Sequence, residues 1–391
     1  MIINEVKEQL VGNIIPFWKS LKDDTYGGFY GEVNYDLDIL RHSIKGGIFN
    51  SRILWFFSNA YITLKDEECL KYADYAYVFL RDYLIDKEYG GVYWSVSYDG
   101  KAEDDSKHTY NQAFAIYGLA SYYDATGNKE ALNLAYQLVD KVENMCKDQG
   151  GYLEAFDREF GPQDNEKLSE NGVMASRTMN TLLHVLEAYT ELYRVDKSEE
   201  IAEYIKFMLD LFADKVYNKN LRRLDVFFDK DWNCIIDLNS YGHDIEASWL
   251  VDRACEVLDD EEYTKKIFEI TKDLADHIHS VGLDEDSSLY NECENGIIDT
   301  KKVWWVQAEA IIGFVNGYEK DLSRRDYLLT ARKVWDYMVD YVIDKRAGGE
   351  WFNELYKDGT PIKEKEIAGP WKCPYHNGRM CFEIINRQVE F

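Results

Sequence analysis

Several features that define common protein classes are missing from this chain of 391 residues. No apolar run approaches the roughly 18 residues that a membrane-spanning helix needs. Residues 1–20 lack the basic stretch followed by an apolar stretch that marks a signal peptide. The seven cysteines include no C-x-x-C pair, so neither a zinc site nor a disulfide framework is indicated. We therefore expect a cytoplasmic protein with reduced thiols and no membrane partner.

Positive charge is also scarce, because 45 Lys and Arg face 72 Asp and Glu, for a net charge of -27. Binding to a phosphate backbone requires clustered Lys and Arg, so we predict no nucleic-acid partner. Neither a P-loop, nor a G-x-G-x-x-G turn opening a βαβ unit, nor an H-E-x-x-H helix, nor a G-x-S-x-G elbow is present. These absences predict a protein without a metal site or a cofactor.

Aromatic residues, by contrast, are abundant, at 15% of the chain with 30 Tyr and 10 Trp. A large aromatic core would account for them. A carbohydrate site would also account for them, because flat rings stack on the apolar faces of sugars. Composition leaves both interpretations open.

A short aromatic segment flanked by Gly, Asp or Asn recurs along the chain, and each copy predicts a small hairpin or extended loop. The copies include "YGGFYGEVNYD" from Tyr26, "YGGVYWSVSYDG" from Tyr89 and "GGEWFNELYKDG" from Gly348, with further copies from Gln149, Arg222 and Ser287. Six copies about 60 residues apart indicate six structural units.

Between these segments the apolar period is helical. The pattern predicts helices at 3–20, 48–63, 67–85, 108–127, 129–147, 176–195, 197–217, 242–258, 261–280, 302–320, 324–343 and 376–387. Long aromatic links join the two helices of each pair, and links of a few residues join one pair to the next. This alternation predicts an all-α (α/α)6 barrel forming a single domain over 1–391, with every long loop at one end. Loops that long in a compact domain usually carry function.

The unusual polar and aromatic residues fall near the N-terminal ends of the even-numbered helices. They are Arg52; His108 and Tyr110; Asn180 and His184; His243 and Glu246; Trp304, Trp305 and Glu309; and Trp371 and His376. If the even-numbered helices form the inner ring, these six groups converge on one mouth of the barrel.

Each residue also has a plainer interpretation. Arg52 could lie on the surface, and His184 could be a satisfied core histidine. Glu246, three residues after His243, could orient its ring or could form a surface pair with it. Trp304 and Trp305 point in different directions on a helix, so one of them belongs to the core.

Three histidines facing one cavity suit proton transfer near neutral pH. The helix dipole disfavours imidazolium at a helix N-terminus and keeps the ring a base. Arg52, Asn180 or the third histidine could hold an enediolate, which describes a cofactor-free sugar epimerase or isomerase. A glycoside hydrolase would instead need two carboxylates facing the cavity, for which Glu246, Glu309, Asp157 and Glu170 are candidates. A sugar-binding module without activity is the third alternative.

The segments "SRILWFF", "HTYNQAFAIYGLASYY", "MNTLLHVLEAYTELY", "SYGHDIEASWL", "VWWVQAEA" and "GPWKCPYHNGRM" resemble the cellobiose 2-epimerase family, within the N-acylglucosamine 2-epimerase superfamily. The resemblance covers nearly the whole chain and implies an (α/α)6 barrel. It implies epimerisation at C2 of the reducing-end glucose of β-1,4-linked disaccharides such as cellobiose and lactose. Superfamily relatives acting on monosaccharides, an N-acylglucosamine 2-epimerase or a mannose isomerase, remain the nearest alternative. We expect a monomer with a small disaccharide as its partner.

The same resemblance implies a role for each site residue. The general acid/base pair is His243 and His376, acting through a cis-enediolate. The remaining assignments are His184, Arg52 and Asn180 for the C1 and C2 oxygens, Glu246 for support of His243, Trp371 and one of Trp304 and Trp305 for sugar stacking, Tyr110 for substrate contact, and Glu292 for the distal sugar. The chain departs from the family pattern at Asn50, where a histidine is expected before Ser51 and Arg52. Asn50 could change a hydrogen bond beneath Arg52.

Overall fold

The computed structural model describes residues 1–165, 167 and 171–391. Over these residues the helices are α1 Ile2–Gln9, α2 Ile15–Ser20, α3 Gly47–Leu64, α4 Glu67–Phe79, α5 Thr109–Thr126, α6 Lys129–Met145, α7 Met179–Val195, α8 Glu199–Leu211, α9 Tyr241–Leu258, α10 Glu261–Val281, α11 Trp304–Lys320, α12 Arg325–Tyr337 and α13 His376–Arg387. The strands are β1 Lys45–Gly46, β2 Ser95–Val96, β3 Ala102–Asp104, β4 Lys107–His108, β5 Lys147–Asp148, β6 Gly151–Tyr152, β7 Ala155–Phe156, β8 Arg177–Thr178, β9 Tyr217–Asn218, β10 Arg223–Leu224, β11 Phe227–Phe228, β12 Leu238–Ser240, β13 Glu292–Glu294, β14 Ile297–Asp299, β15 Lys302–Val303 and β16 Glu354–Leu355.

Two concentric rings of helices form the molecule. Helices α3, α5, α7, α9, α11 and α13 each pack against the next, and α13 packs back against α3, which closes the inner ring. Helices α4, α6, α8, α10 and α12 pack outside it, and α1 packs against α13. The inner helices are buried on nearly every side, as α5 shows from Thr109 to Tyr122. The predicted (α/α)6 barrel is confirmed, with the even-numbered predicted helices inside.

Outer helices begin where side chains cap them. Asp66 accepts a hydrogen bond from the backbone N–H of Glu68 at the start of α4. Asn128 and Asp260 likewise accept backbone N–H groups from the first turns of α6 and α10. Each cap is followed by glutamate in the first turn, which the helix dipole favours. These short polar links hold neighbouring pairs of helices together at the end of the barrel away from the hairpins.

Several predicted helices end differently in the structure. The predictions 67–85, 197–217 and 324–343 each finish in a π turn, at Leu80–Leu84, Phe212–Val216 and Met338–Val342. Another π turn, Leu10–Ile14, joins α1 to α2. The prediction 176–195 starts too early, because Arg177 and Thr178 pair with Phe228 and Phe227 as strands.

The long loops are tied to one another around the mouth. The strands that precede α3, α5, α7, α9 and α11 each pair antiparallel with a strand from the following loop, in the pairs β1–β2, β4–β7, β8–β11, β12–β13 and β15–β16. A bridge from Ala368 to Val33 links the last loop back to the first. The aromatic hairpins therefore form a continuous wall around the N-terminal ends of the inner helices.

Buried ion pairs fasten several of these loops. Lys45 lies 2.7 Å from Asp23, and Lys107 lies 3.0 Å from Asp86, with all four side chains fully buried. Lys302 binds an aspartate in the same way at 2.8 Å. Each aspartate also accepts backbone N–H groups of its own turn, such as those of Thr25 and Tyr26 at the first loop. Each buried ion pair thus fixes a loop turn to the strand that leads into an inner helix.

The apolar interior is continuous from Ile2 in α1 to Ile384 in α13. All seven cysteines are free thiols, as the sequence predicts. Within the part of the chain that the structure describes, no helix has the length and apolarity required to cross a bilayer.

Candidate active site

His376, the first residue of α13, lies at the floor of the mouth and is only 8% exposed. Its Nδ1 atom is 2.8 Å from a carboxylate oxygen of Glu309 on α11. Burial, together with the positive charges of Arg379 and Arg52, holds the pKa of His376 well below its usual value. Because the carboxylate binds the Nδ1 proton, the neutral ring has its basic Nε2 free for a substrate.

His243, in the first turn of α9, is partly exposed at the same mouth. Its Nδ1 atom lies 2.7 Å from the hydroxyl of Ser240. Burial by the surrounding protein, with a smaller contribution from the charge of His184, lowers the pKa of His243 to about 3. A hydroxyl can donate or accept, so either ring nitrogen of His243 can carry the proton.

The structure corrects the expectation that Glu246 supports His243. Glu246 is fully buried and forms an ion pair with Arg379, and its nearest imidazole contact is His376 Nδ1 at 3.8 Å. It therefore lies beneath the site and does not line it as a substrate contact. Ser240, at the end of β12, takes the supporting position because the strand delivers its hydroxyl to the ring.

The indole of Trp305 contacts both histidines, with its ring centroid 4.8 Å from that of His243 and 5.2 Å from that of His376. Trp305 is partly exposed, whereas Trp304 is buried beneath Lys372, 4.3 Å from its ammonium group. Gly242 makes the indole position possible, because a Cβ there would come within 2.6 Å of the Trp305 ring. Trp305 is therefore the member of the pair that faces the site.

The opposite wall holds a buried cation. Arg52 donates to the hydroxyl of Tyr110 at 2.9 Å, and its guanidinium lies over the rings of Phe114 and Tyr375, at 4.0 and 4.5 Å. Burial raises the pKa of Tyr110 to about 12, so it stays a neutral phenol. The ring of His184 lies edge-on to Tyr110 at 5.2 Å. Arg52 thus presents a fixed positive charge beside the three histidines.

A network of charges supports the histidines from below. Arg379 binds Glu187 at 2.6 Å and Glu309 at 2.7 Å, and it also contacts Glu246. Glu187 in turn accepts from His184 Nδ1 at 2.9 Å. Although burial opposes it, the charge of Arg379 and the His184 hydrogen bond lower the pKa of Glu187 to about 2.

Three carboxyl groups thus share one arginine. Burial raises the pKa of Glu246 to about 7 and also raises that of Glu309. One oxygen of Glu246 has no hydrogen-bond partner in the described chain. Near neutral pH, Glu246 is therefore protonated in part of the molecules and ion-paired with Arg379 in the rest, while Glu309 accepts hydrogen bonds from His376, Arg379 and the indole N–H of Trp249.

Glu246, Glu309 and His376 could in principle bind a metal, since their ligand atoms all lie within 4.8 Å of one another. The guanidinium of Arg379 already occupies the space between the two carboxylates. A divalent cation would have to displace this permanent charge, so the cluster suits support of His376 better than metal binding.

The remaining predicted residues lie at the rim. Trp371 is 41% exposed and stands 5.9 Å from Trp94 and 6.0 Å from Tyr110, measured between ring centroids. Asn180 is partly exposed, with a side-chain oxygen that has no protein partner in the described chain. Glu292, in β13, pairs through its backbone with Ser240, which places it beside the strand that supports His243.

The carboxylates that a hydrolase would use are not arranged for one. Glu246 and Glu309 are fully buried and bound to Arg379. Asp157 is exposed and accepts backbone N–H groups of its own loop, from Glu159 and Gly161. The fourth candidate, Glu170, lies outside the described residues.

The spacing of charged residues after the site histidines indicates the supporting network. Glu187, Glu246 and Arg379 each follow a site histidine by three residues, which places them one helical turn deeper on the same face. Asn50 does not act on Arg52, because its side chain donates to the backbone oxygen of Gly46 at 2.9 Å, within its own helix turn.

The chain is similar in sequence and in structure to known epimerases. Residues 18–378 match the model of the N-acylglucosamine 2-epimerase family. A curated cellobiose 2-epimerase of Ruminococcus albus is 51% identical over 390 residues, covering 100% of both chains. A sugar epimerase from a ruminal bacterium superimposes with a TM-score of 0.98 at 50% identity over 100% of both chains. The cellobiose 2-epimerase of Bacillus thermoamylovorans superimposes with a TM-score of 0.95 at 49% identity over 99% of both chains.

The helical barrel carries a cluster of imidazoles at its mouth, and the relatives of the chain are epimerases. Together these findings identify an isomerase of the epimerase class. The chain belongs to the N-acylglucosamine 2-epimerase family.

Proposed function

We propose that the protein interconverts the C2 epimers of the reducing-end glucose in β-1,4-linked disaccharides. Cellobiose would become 4-O-β-glucosyl-mannose, and lactose would become epilactose. The observation that carries the proposal is that the imidazoles of His243 and His376, from separate helices, both lie against the Trp305 indole. The names of relatives that share about half of the residues support cellobiose as the substrate.

Two imidazoles can perform this chemistry without a cofactor. After ring opening, one neutral histidine removes the C2 proton and becomes an imidazolium. The other histidine enters the step as an imidazolium, delivers its proton to the opposite face of the cis-enediolate and ends neutral. His376 is prepared as a base by the Glu309 carboxylate on its Nδ1, and the Ser240 hydroxyl can donate to or accept from Nδ1 of His243 in either protonation state of that ring. The two rings reverse roles in the reverse reaction.

Charge on the enediolate oxygens needs a matching cation. Arg52 is 2% exposed, and the aromatic rings around it exclude water, which strengthens its attraction for an oxyanion. His184 and the amide of Asn180 complete this wall. Trp305 and Trp371 offer flat faces on which the two sugar rings can stack.

The test is incubation of the purified, chelator-treated protein with cellobiose in D2O, followed by NMR of the products. We expect glucosyl-mannose with deuterium at C2. Release of free glucose would replace the proposal with hydrolysis. Exchange with N-acetylglucosamine or mannose but not with cellobiose would keep the proton transfer and change the substrate.

A further inference from the structure

The barrel contains a second cavity at the end opposite the mouth, with a volume of about 180 Å³. It lies between the C-terminal halves of the inner helices, where Asn59 of α3, Thr190 of α7 and Arg253 of α9 form part of its wall. Glu187 and Arg379 also line it. We call it the rear cavity, and it reaches the underside of the charge network that supports the histidines.

The wall of the rear cavity contains polar atoms that the described protein leaves without hydrogen bonds. The hydroxyl of Thr190 and the Nε of Arg379 are both buried and lack a partner among the described residues. A buried polar group without a partner costs about 1–3 kcal/mol, and ordered water is the usual remedy. At roughly 30 Å³ each, about six water molecules would fit.

The rear cavity continues to the surface. It shares Arg253, Glu383 and Asn386 with a more open depression of about 530 Å³ at the same end of the barrel. Bulk water can therefore reach Glu187 from the side away from the substrate.

Glu187 links this water to the catalytic face. Its carboxylate is 2.9 Å from His184 Nδ1, and the other face of that imidazole belongs to the mouth, against Tyr110. Arg379, on the same cavity wall, binds the Glu309 carboxylate that holds His376. One carboxylate and one ring thus separate the rear cavity from the substrate.

We propose that the rear cavity is a water-filled proton route that resets the histidines between turnovers; this inference rests on the function proposed above. Each turnover leaves one imidazole with an additional proton and the other with one fewer. His184 takes up the additional proton across the mouth and passes it through Glu187 to the water of the rear cavity, and the missing proton returns by the same path, so each catalytic ring regains its starting protonation state. The route works while a disaccharide covers the mouth.

Blocking the route tests it. Thr190→Leu and, from the facing helix, Asn59→Leu should fill the rear cavity without touching the substrate, and Thr190→Val removes the hydroxyl but leaves the passage open. We expect both leucine variants to lower kcat by about fivefold or more while kcat/KM stays at the wild-type value, because a slow reset limits only the saturated enzyme. The solvent deuterium isotope effect on kcat should rise, and Thr190→Val should resemble wild type.

Three results would overturn the proposal. Equal losses in kcat and kcat/KM would indicate a structural disturbance of Glu187 and Arg379. Wild-type kinetics in both folded leucine variants would show that no route passes there, and a Thr190→Val loss equal to that of Thr190→Leu would contradict blockage. The wild-type rate with cellobiose, measured first, tests the proposed function separately.

Discussion

Replacing Glu309 with glutamine probes how the charge network sustains proton transfer. The fully buried carboxylate lies 2.8 Å from Nδ1 of His376 and stabilises the imidazolium that forms when the ring takes a proton. At an effective dielectric constant of 20, a full ion pair at this distance contributes about 6 kcal/mol. Because the charge is partly formed in the transition state and Arg379 opposes it, we expect a loss of about 3–4 kcal/mol, or roughly a hundredfold to a thousandfold in kcat.

The assay is the initial rate of C2 epimerisation by NMR, with Glu246→Gln as the matched control. Glu246 lies 3.8 Å from the same nitrogen and has a pKa of about 7, so an amide resembles its protonated form. Its replacement should cost less than about tenfold in kcat. The reasoning is refuted if Glu309→Gln stays within about threefold of wild type, or if both variants lose activity equally.

Three further predictions concern the helix starts and the loops. Burial lowers the pKa of His108 to about 4, so the unfolded state binds more protons between pH 6.5 and 4. The neutral His108 ring therefore stabilises the fold fully above pH 6.5, and this stabilisation is lost as the pH falls through 4. The free energy of unfolding of wild type relative to His108→Gln, measured by urea titration, should fall by about 3 kcal/mol over that range. A difference that does not change with pH would contradict this. Lys45→Met leaves Asp23 buried without its cation and should lower the free energy of unfolding in urea by about 3–5 kcal/mol. Adding Asp23→Asn to this variant should restore part of the loss, and additive effects of the two substitutions would contradict a coupled ion pair. Gly242→Ala should displace the Trp305 ring and lower kcat by about tenfold to a hundredfold with little change in unfolding temperature, and unaltered kinetics would show that the indole position is unimportant.

The helical period, the repeated aromatic segments and the alternating link lengths were sufficient to predict the barrel. The inner position of the even-numbered predicted helices was only a hypothesis, based on the polar residues at their N-terminal ends. The ends of several helices were not predictable in the same way. Apolar spacing does not separate the π turn at Leu80–Leu84 from α-helix, and the pairing of Arg177 with Phe228 depends on a loop about 50 residues away.

The positions of the site residues followed from the fold, but their partners did not. Glu246 is one turn from His243 in sequence, which favours a contact within α9, yet the side chain turns beneath the site toward Arg379 on α13. Ser240 reaches His243 because β12 ends there. Hydrogen bonds between separate helices depend on how the inner ring closes, which no local pattern contains.

The most direct test of the central claim is C2 proton exchange in D2O by two single variants, His243→Asn and His376→Asn, with each epimer of the disaccharide as a separate substrate. If one imidazole serves each face of the enediolate, both variants lose epimerisation by orders of magnitude. Each should still exchange the C2 proton of one epimer, and the two variants should retain opposite epimers. Near-normal epimerisation by either correctly folded variant, or exchange of the same epimer by both, would contradict a two-histidine site.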